Sequence, residues 1–159
     1  MATAPNGDPR MTQVPGRSWP IRYSFIGFLL WVVIDFGTAG GFRLSYFAAH
    51  GPWLLVFYIG YPIVFSYLIF RRKWAGWKLF LATVVAILVI EGLFTANPFI
   101  LSFPLMLVGI PLAICIYAPL TYFPMWIVNG ELARHRAVAV FLSIVVLVVM
   151  YLTTFGGAS

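Results

Sequence analysis

Apolar residues run in five long blocks, separated by short clusters rich in Arg, Lys, Gly, Pro and Asn. The blocks cover about residues 23–42, 53–70, 79–96, 99–117 and 137–155. Each approaches the roughly 20 residues that an α-helix needs to cross a hydrocarbon core of about 30 Å. The pattern predicts an all-α, polytopic integral membrane protein with about five transmembrane helices. Pro62 falls inside the second block and is expected to kink it, with neighbouring helices satisfying the freed carbonyl. Asn97-Pro98 closes the third. The apolar stretch then continues to Val128, longer than one span requires, and is punctuated by Pro104, Pro111, Pro119 and Pro124. One reading ends the fourth span near residue 117 and lays 118–136 at the interface, with Tyr122, Phe123 and Trp126 as anchors. The alternative is one long, kinked helix over 99–128.

Residues 1–20 hold four of the eleven prolines and few apolar side chains, so they read as a disordered or loosely docked arm ahead of a single helical domain over 21–159. The first apolar block starts only after Arg22 and carries Asp35, which favours a retained helix over a cleaved signal peptide.

Composition narrows the class further. The chain is 62% hydrophobic and only 9% charged, whereas a soluble domain has about 25% charged residues, so it lacks the polar surface to be wet all round. The net charge of +6 does not point to nucleic acid, because the basic residues flank apolar runs and form no separate basic domain. It bears on orientation instead. With the N-terminus in the cytoplasm, Arg10, Arg17, Arg22, Arg71, Arg72, Lys73, Lys78, Arg134 and Arg136 share that side, and only Arg43 lies opposite. Nine against one is a positive-inside pattern. It places the C-terminus outside, and the expected location is a prokaryotic cytoplasmic membrane. Arg71, Arg72, Lys73, Lys78, Arg134 and Arg136 are candidates for anionic headgroup contact.

Candidate chemistry centres on the two acids inside spans, Asp35 and Glu91. Asp35 lies thirteen residues past Arg22, and Glu91 thirteen past Lys78. A rise of 1.5 Å per residue puts both about 20 Å from the inner boundary. An intramembrane ionisable group costs at least about 2.5–3.5 kcal/mol, so it calls for a partner or a task. Three readings follow. Asp35 pairs with Arg43 and Glu91 is neutral or hydrogen-bonded; or the two acids share a proton or bind a cation; or one serves as general acid on a lipid or isoprenoid. Gly37 to Gly41 and Gly92 to Ala96 form small-xxx-small patterns just after each acid, which suggests close packing of the first and third helices.

Other signals are weaker. Cys115 is the only cysteine, so no intrachain disulfide forms. His50 and His135 fall on opposite sides of the expected topology and cannot share a metal; no metal-spaced cluster occurs and no cofactor is identified. The abundant aromatics suit interfacial belts, and also a flat apolar ligand such as a pigment or quinone. The leading expectation is a small non-catalytic integral subunit that packs against and stabilises a larger membrane complex, with membrane lipids and other subunits or further copies as partners. A small transporter or channel component using the paired carboxylates is the second reading. An intramembrane enzyme acting on a lipid or isoprenoid is the third.

Overall fold

A computed structural model describes residues 18–156. Most of the arm expected over 1–20 therefore lies outside the described residues, Arg10 and Arg17 with it. Among those described, the fold is all-helical. It comprises α1 (Trp19–Thr38), α2 (Leu44–Ser66, continued by a π-helical turn, Tyr67–Arg71), α3 (Trp77–Ile87, continued by a π-helical segment, Leu88–Phe94), α4 (Pro98–Leu101), α5 (Met106–Asn129) and α6 (Arg136–Phe155). Five helices are long and apolar enough to cross a membrane: α1, α2 and α3 with their continuations, α5 and α6. This is consistent with an integral membrane protein.

Two boundaries differ from the sequence-based expectation, for one reason. α2 starts at Leu44 and takes His50-Gly51-Pro52 into the helix, where the sequence suggested a loop. α5 carries Pro111, Pro119 and Pro124 within one helix, so 118–128 is helical and not a separate interfacial segment. Gly-Pro and isolated prolines break helices readily in water. Where solvent cannot take over the backbone groups, the helical alternative keeps more of them bonded. At Asn97-Pro98 the break is real. The Asn97 side chain accepts from the Phe99 N–H at 3.0 Å, and Pro98 occupies the first turn of α4, a cap followed by a residue that needs no donor.

α1 packs on α2, α5 and α6, while α3 packs on α5. α1 approaches its neighbours through glycines. A Cβ on Gly27 would lie 2.9 Å from Pro62 Cβ in α2, and one on Gly37 would lie 2.7 Å from Met150 Cε in α6. Gly41 has φ +52°, and a Cβ there would lie 2.9 Å from the Thr153 carbonyl oxygen. Thr153 Oγ1 also donates to the Gly37 carbonyl at 2.9 Å. The Gly37–Gly41 pattern thus serves contact with α6, not with α3. Gly92 is buried near a Leu101 side chain, and Ala96 lies two residues beyond the end of the π-helical segment, with φ 47°. The sequence pattern correctly marks close approach on α1, but spacing alone does not say which helix approaches.

The core joins α1, α2, α3 and α5 through Tyr23, Trp31, Tyr58, Tyr61, Phe65, Leu79, Ile87 and Leu120. Large apolar side chains also cover the outside, among them Phe141, Leu147 and Tyr151 of α6, a distribution suited to lipid and not to water.

Candidate functional site: two carboxylates on one cavity

A cavity of about 290 Å³ is lined by residues from α1, α3, α4, α5 and α6, and both Asp35 and Glu91 border it. The two helices that supply the acids do not create it by packing together. α5 packs on each of them, and its Ala113, Ile116, Tyr117 and Leu120 form much of the wall. Gly109 makes room at the end near α4, where a Cβ built on it would collide with the Phe99 carbonyl.

Asp35 sits in the last turns of α1. Beyond it the chain reverses in a few residues, with Gly41 and Phe42 both at positive φ. That turn sends α2 back along α1 and brings two tyrosines to the carboxylate. Tyr46 donates to Asp35 Oδ2 at 3.0 Å and Tyr58 to the same oxygen at 2.7 Å. Twelve residues separate these tyrosines, about 18 Å along a helix axis, so their side chains reach Asp35 from opposite directions. Arg43, the sequence-based partner, does something else. It is the residue before α2, its backbone is extended, and its Nε donates to the Gly40 carbonyl at 3.3 Å. The tight turn holds the guanidinium on its own backbone, and hydroxyls hold Asp35.

Glu91 lies within the π-helical segment of α3. Such wide turns are uncommon and often accompany functional sites. Tyr117 of α5 donates to Glu91 Oε1 at 2.7 Å. Asn97 Nδ2 and Thr95 Oγ1 donate to Oε2 at 3.0 and 3.2 Å. The Asn97 side chain therefore does two jobs, since its carbonyl caps α4 while its amide holds Glu91.

Trp31 ties the two halves together. It is 3% exposed, and its ring lies 5.6, 5.3 and 5.3 Å from those of Tyr58, Tyr61 and Tyr117. Tyr58 serves Asp35 and Tyr117 serves Glu91, so one indole positions a donor to each acid. Trp31 also lines the cavity, and its buried Nε1 has no hydrogen-bond partner. Further along the bundle a second polar group is buried. Tyr61 and Thr121 share a hydrogen bond of 2.6 Å, Thr83 joins Thr121 at 3.2 Å, and Tyr23 donates to the Thr121 carbonyl at 3.0 Å.

Of the site residues expected from sequence, Asp35 and Glu91 meet at one cavity, while Arg43 has no bond to either. Arg71, Arg72, Lys73 and Lys78 are exposed around the α2–α3 hairpin, and Arg134 and Arg136 around the turn before α6. Sequence reasoning missed Trp31, Tyr46, Tyr58, Asn97 and Tyr117. One signal was available: Tyr58 and Tyr61 stand well inside an apolar block, where a belt tyrosine would not be. Among the described residues, no three His, Cys, Asp or Glu side chains converge to hold a metal ion. What the arrangement offers is two acceptors on one largely apolar cavity, each held by hydroxyl or amide donors, with no Lys or Arg side chain bonded to either among the described residues. No protein-family model, curated protein or solved structure matches the chain.

Proposed function

We propose that this is a small integral membrane transporter or channel component that takes up a proton or a small cation between Asp35 and Glu91. One observation carries the reading: two carboxylates from separate apolar helices border a single cavity, and among the described residues no Lys or Arg side chain bonds to either. Two negative charges in a low-dielectric enclosure repel, and each loses hydration. Hydroxyl and amide donors offset part of that cost, and a proton or cation in the cavity removes most of the remainder. The proposed orientation follows the charge bias, with the basic α2–α3 hairpin and the turn before α6 on the cytoplasmic side. The membrane itself is proposed to be a prokaryotic cytoplasmic one.

The test is purified protein in sealed vesicles, with proton and monovalent-cation uptake followed by entrapped dyes. Flux above that of protein-free vesicles is expected, and it should disappear in the Asp35→Asn, Glu91→Gln double variant. If the double variant keeps the flux, the cavity is not the pathway. If the wild-type chain carries none, and instead purifies from its native membrane in fixed stoichiometry with other proteins, the role is that of a non-catalytic subunit.

A further inference from the structure

We propose that the groove between α2 and α3 binds one anionic phospholipid, with an acyl chain between the helices and the headgroup at the basic hairpin. α2 and α3 are consecutive, yet a groove of about 730 Å³ lies between them. Its walls are apolar, and its basic end is formed by Trp74, Trp77 and Lys78. The opposite end is closed where the Phe57 and Phe94 rings meet at 5.2 Å. Between those ends, Lys78 and Val89 stand eleven positions apart along α3 and its continuation, about 16 Å of helix. That is close to half of a hydrocarbon core of about 30 Å, the depth reached by one acyl chain.

Gly60 of α2 lines the groove, and a Cβ built there meets no atom within 4 Å. The mouth supplies the charge. Lys78 lines the groove, and exposed Arg71, Arg72 and Lys73 crowd the same hairpin. The Arg72 guanidinium rests 5.7 Å from the centre of the Tyr67 ring, which keeps it beside the hairpin. The acids among the described residues are placed elsewhere: Asp35 and Glu91 at the cavity, Glu131 in the turn before α6. An apolar slot one leaflet deep, ending in unneutralised cations, matches the two-part chemistry of an anionic lipid. A helix from a second copy would fill the slot but leave the charge unanswered.

The experiment places the full-length protein in nanodiscs of equimolar phosphatidylglycerol and phosphatidylcholine with identical acyl chains, and counts retained lipids by native mass spectrometry. One phosphatidylglycerol per chain is expected, enriched roughly fivefold over phosphatidylcholine, the effect of one basic side chain near the headgroup. Gly60→Leu projects a branched side chain into the groove from a Cβ position that meets no atom within 4 Å, and it should lose the retained lipid while keeping helicity. Lys78→Gln, at an exposed position, should keep a lipid but lose most of the enrichment. Equal retention of the two lipids by the wild-type chain overturns the proposal. So does a Gly60→Leu variant that retains lipid normally, or a lipid-free dimer that Gly60→Leu converts to monomer.

Discussion

Adding one methyl group at Gly37 tests how α1 is held beside its cavity. Gly37 follows Asp35 by two residues, and α6 seals that end of α1. A Cβ at Gly37 would stand 2.7 Å from Met150 Cε and 2.8 Å from both its Cγ and Sδ. Ordinary carbon contacts begin near 3.5 Å, so the methionine must withdraw by close to an ångström. Met150 is 8% exposed and has little room to do so. Overpacking of this kind costs about 1–3 kcal/mol. Because the obstacle is a flexible side chain, the cost should be reversible: in the Gly37→Ala, Met150→Ala double variant the new methyl occupies space the methionine has vacated. The two changes should therefore couple favourably by about 1–3 kcal/mol. Gly41→Ala should behave differently. Its φ of +52° adds about 1–2 kcal/mol of backbone strain for a residue with a Cβ, and its obstacle is the Thr153 main-chain oxygen at 2.9 Å. Met150→Ala should not relieve it, and that pair should add within about 0.5 kcal/mol. The assay is equilibrium unfolding in mixed detergent–dodecyl sulfate micelles, followed by far-UV circular dichroism. A Gly37→Ala variant as stable as wild type refutes the packing, and so does simple additivity with Met150→Ala.

Three further outcomes are expected. Thr121→Val removes a fully buried hydroxyl shared by Tyr61 and Thr83; it should cost about 1–3 kcal/mol in the same unfolding assay, with Thr121→Ser recovering most of it. Tyr58→Phe takes the shorter of two donors from Asp35 Oδ2 while keeping the ring against Trp31. It should destabilise more than Tyr46→Phe, whose hydroxyl lies at 3.0 Å on a less buried side chain, and equal effects in the unfolding assay would count against that ranking. Gly109→Ala drives a methyl into the Phe99 carbonyl and should detach the 97–105 cap, read as a local rise in amide hydrogen exchange there; unchanged protection would show that the cap does not rest on α5.

Five helices were legible because each combines a length and an apolar composition sufficient to cross a membrane. The start of α2 was not, because Gly51-Pro52 is a turn signal calibrated on chains in water, and here the helix runs through it. That the two acids border one cavity was partly legible. Equal spacing from Arg22 and Lys78 implies equal depth, and equal depth is what one cavity requires. How they are brought there was hidden, since a small-xxx-small pattern encodes closeness without naming a neighbour, and the neighbour of Gly37 and Gly41 is α6. Tyr46, Tyr58 and Tyr117 were hidden for another reason. Aromatic content looks alike whether rings line an interface or donate to a carboxylate, and of the three only Tyr58 stands well inside an apolar block.

The two carboxylates are not equivalent, and the difference bears on which one receives the ion. Glu91 has donors on both oxygens, from Tyr117 on one and from Asn97 and Thr95 on the other. Those partners belong to α5 and to the segment that starts α4, so Glu91 also holds the cap to the bundle. Asp35 receives both of its hydrogen bonds on Oδ2, which leaves Oδ1 to accept from whatever enters the cavity. Nearby, the Trp31 indole N–H is a buried donor without an acceptor. A species that carries both a proton or positive charge and an oxygen would answer Asp35 and Trp31 together, and hydrated protons and hydrated cations have that composition. Under the proposed function, Asp35 would be the point of uptake, and Glu91 would supply the second charge while fixing the wall opposite.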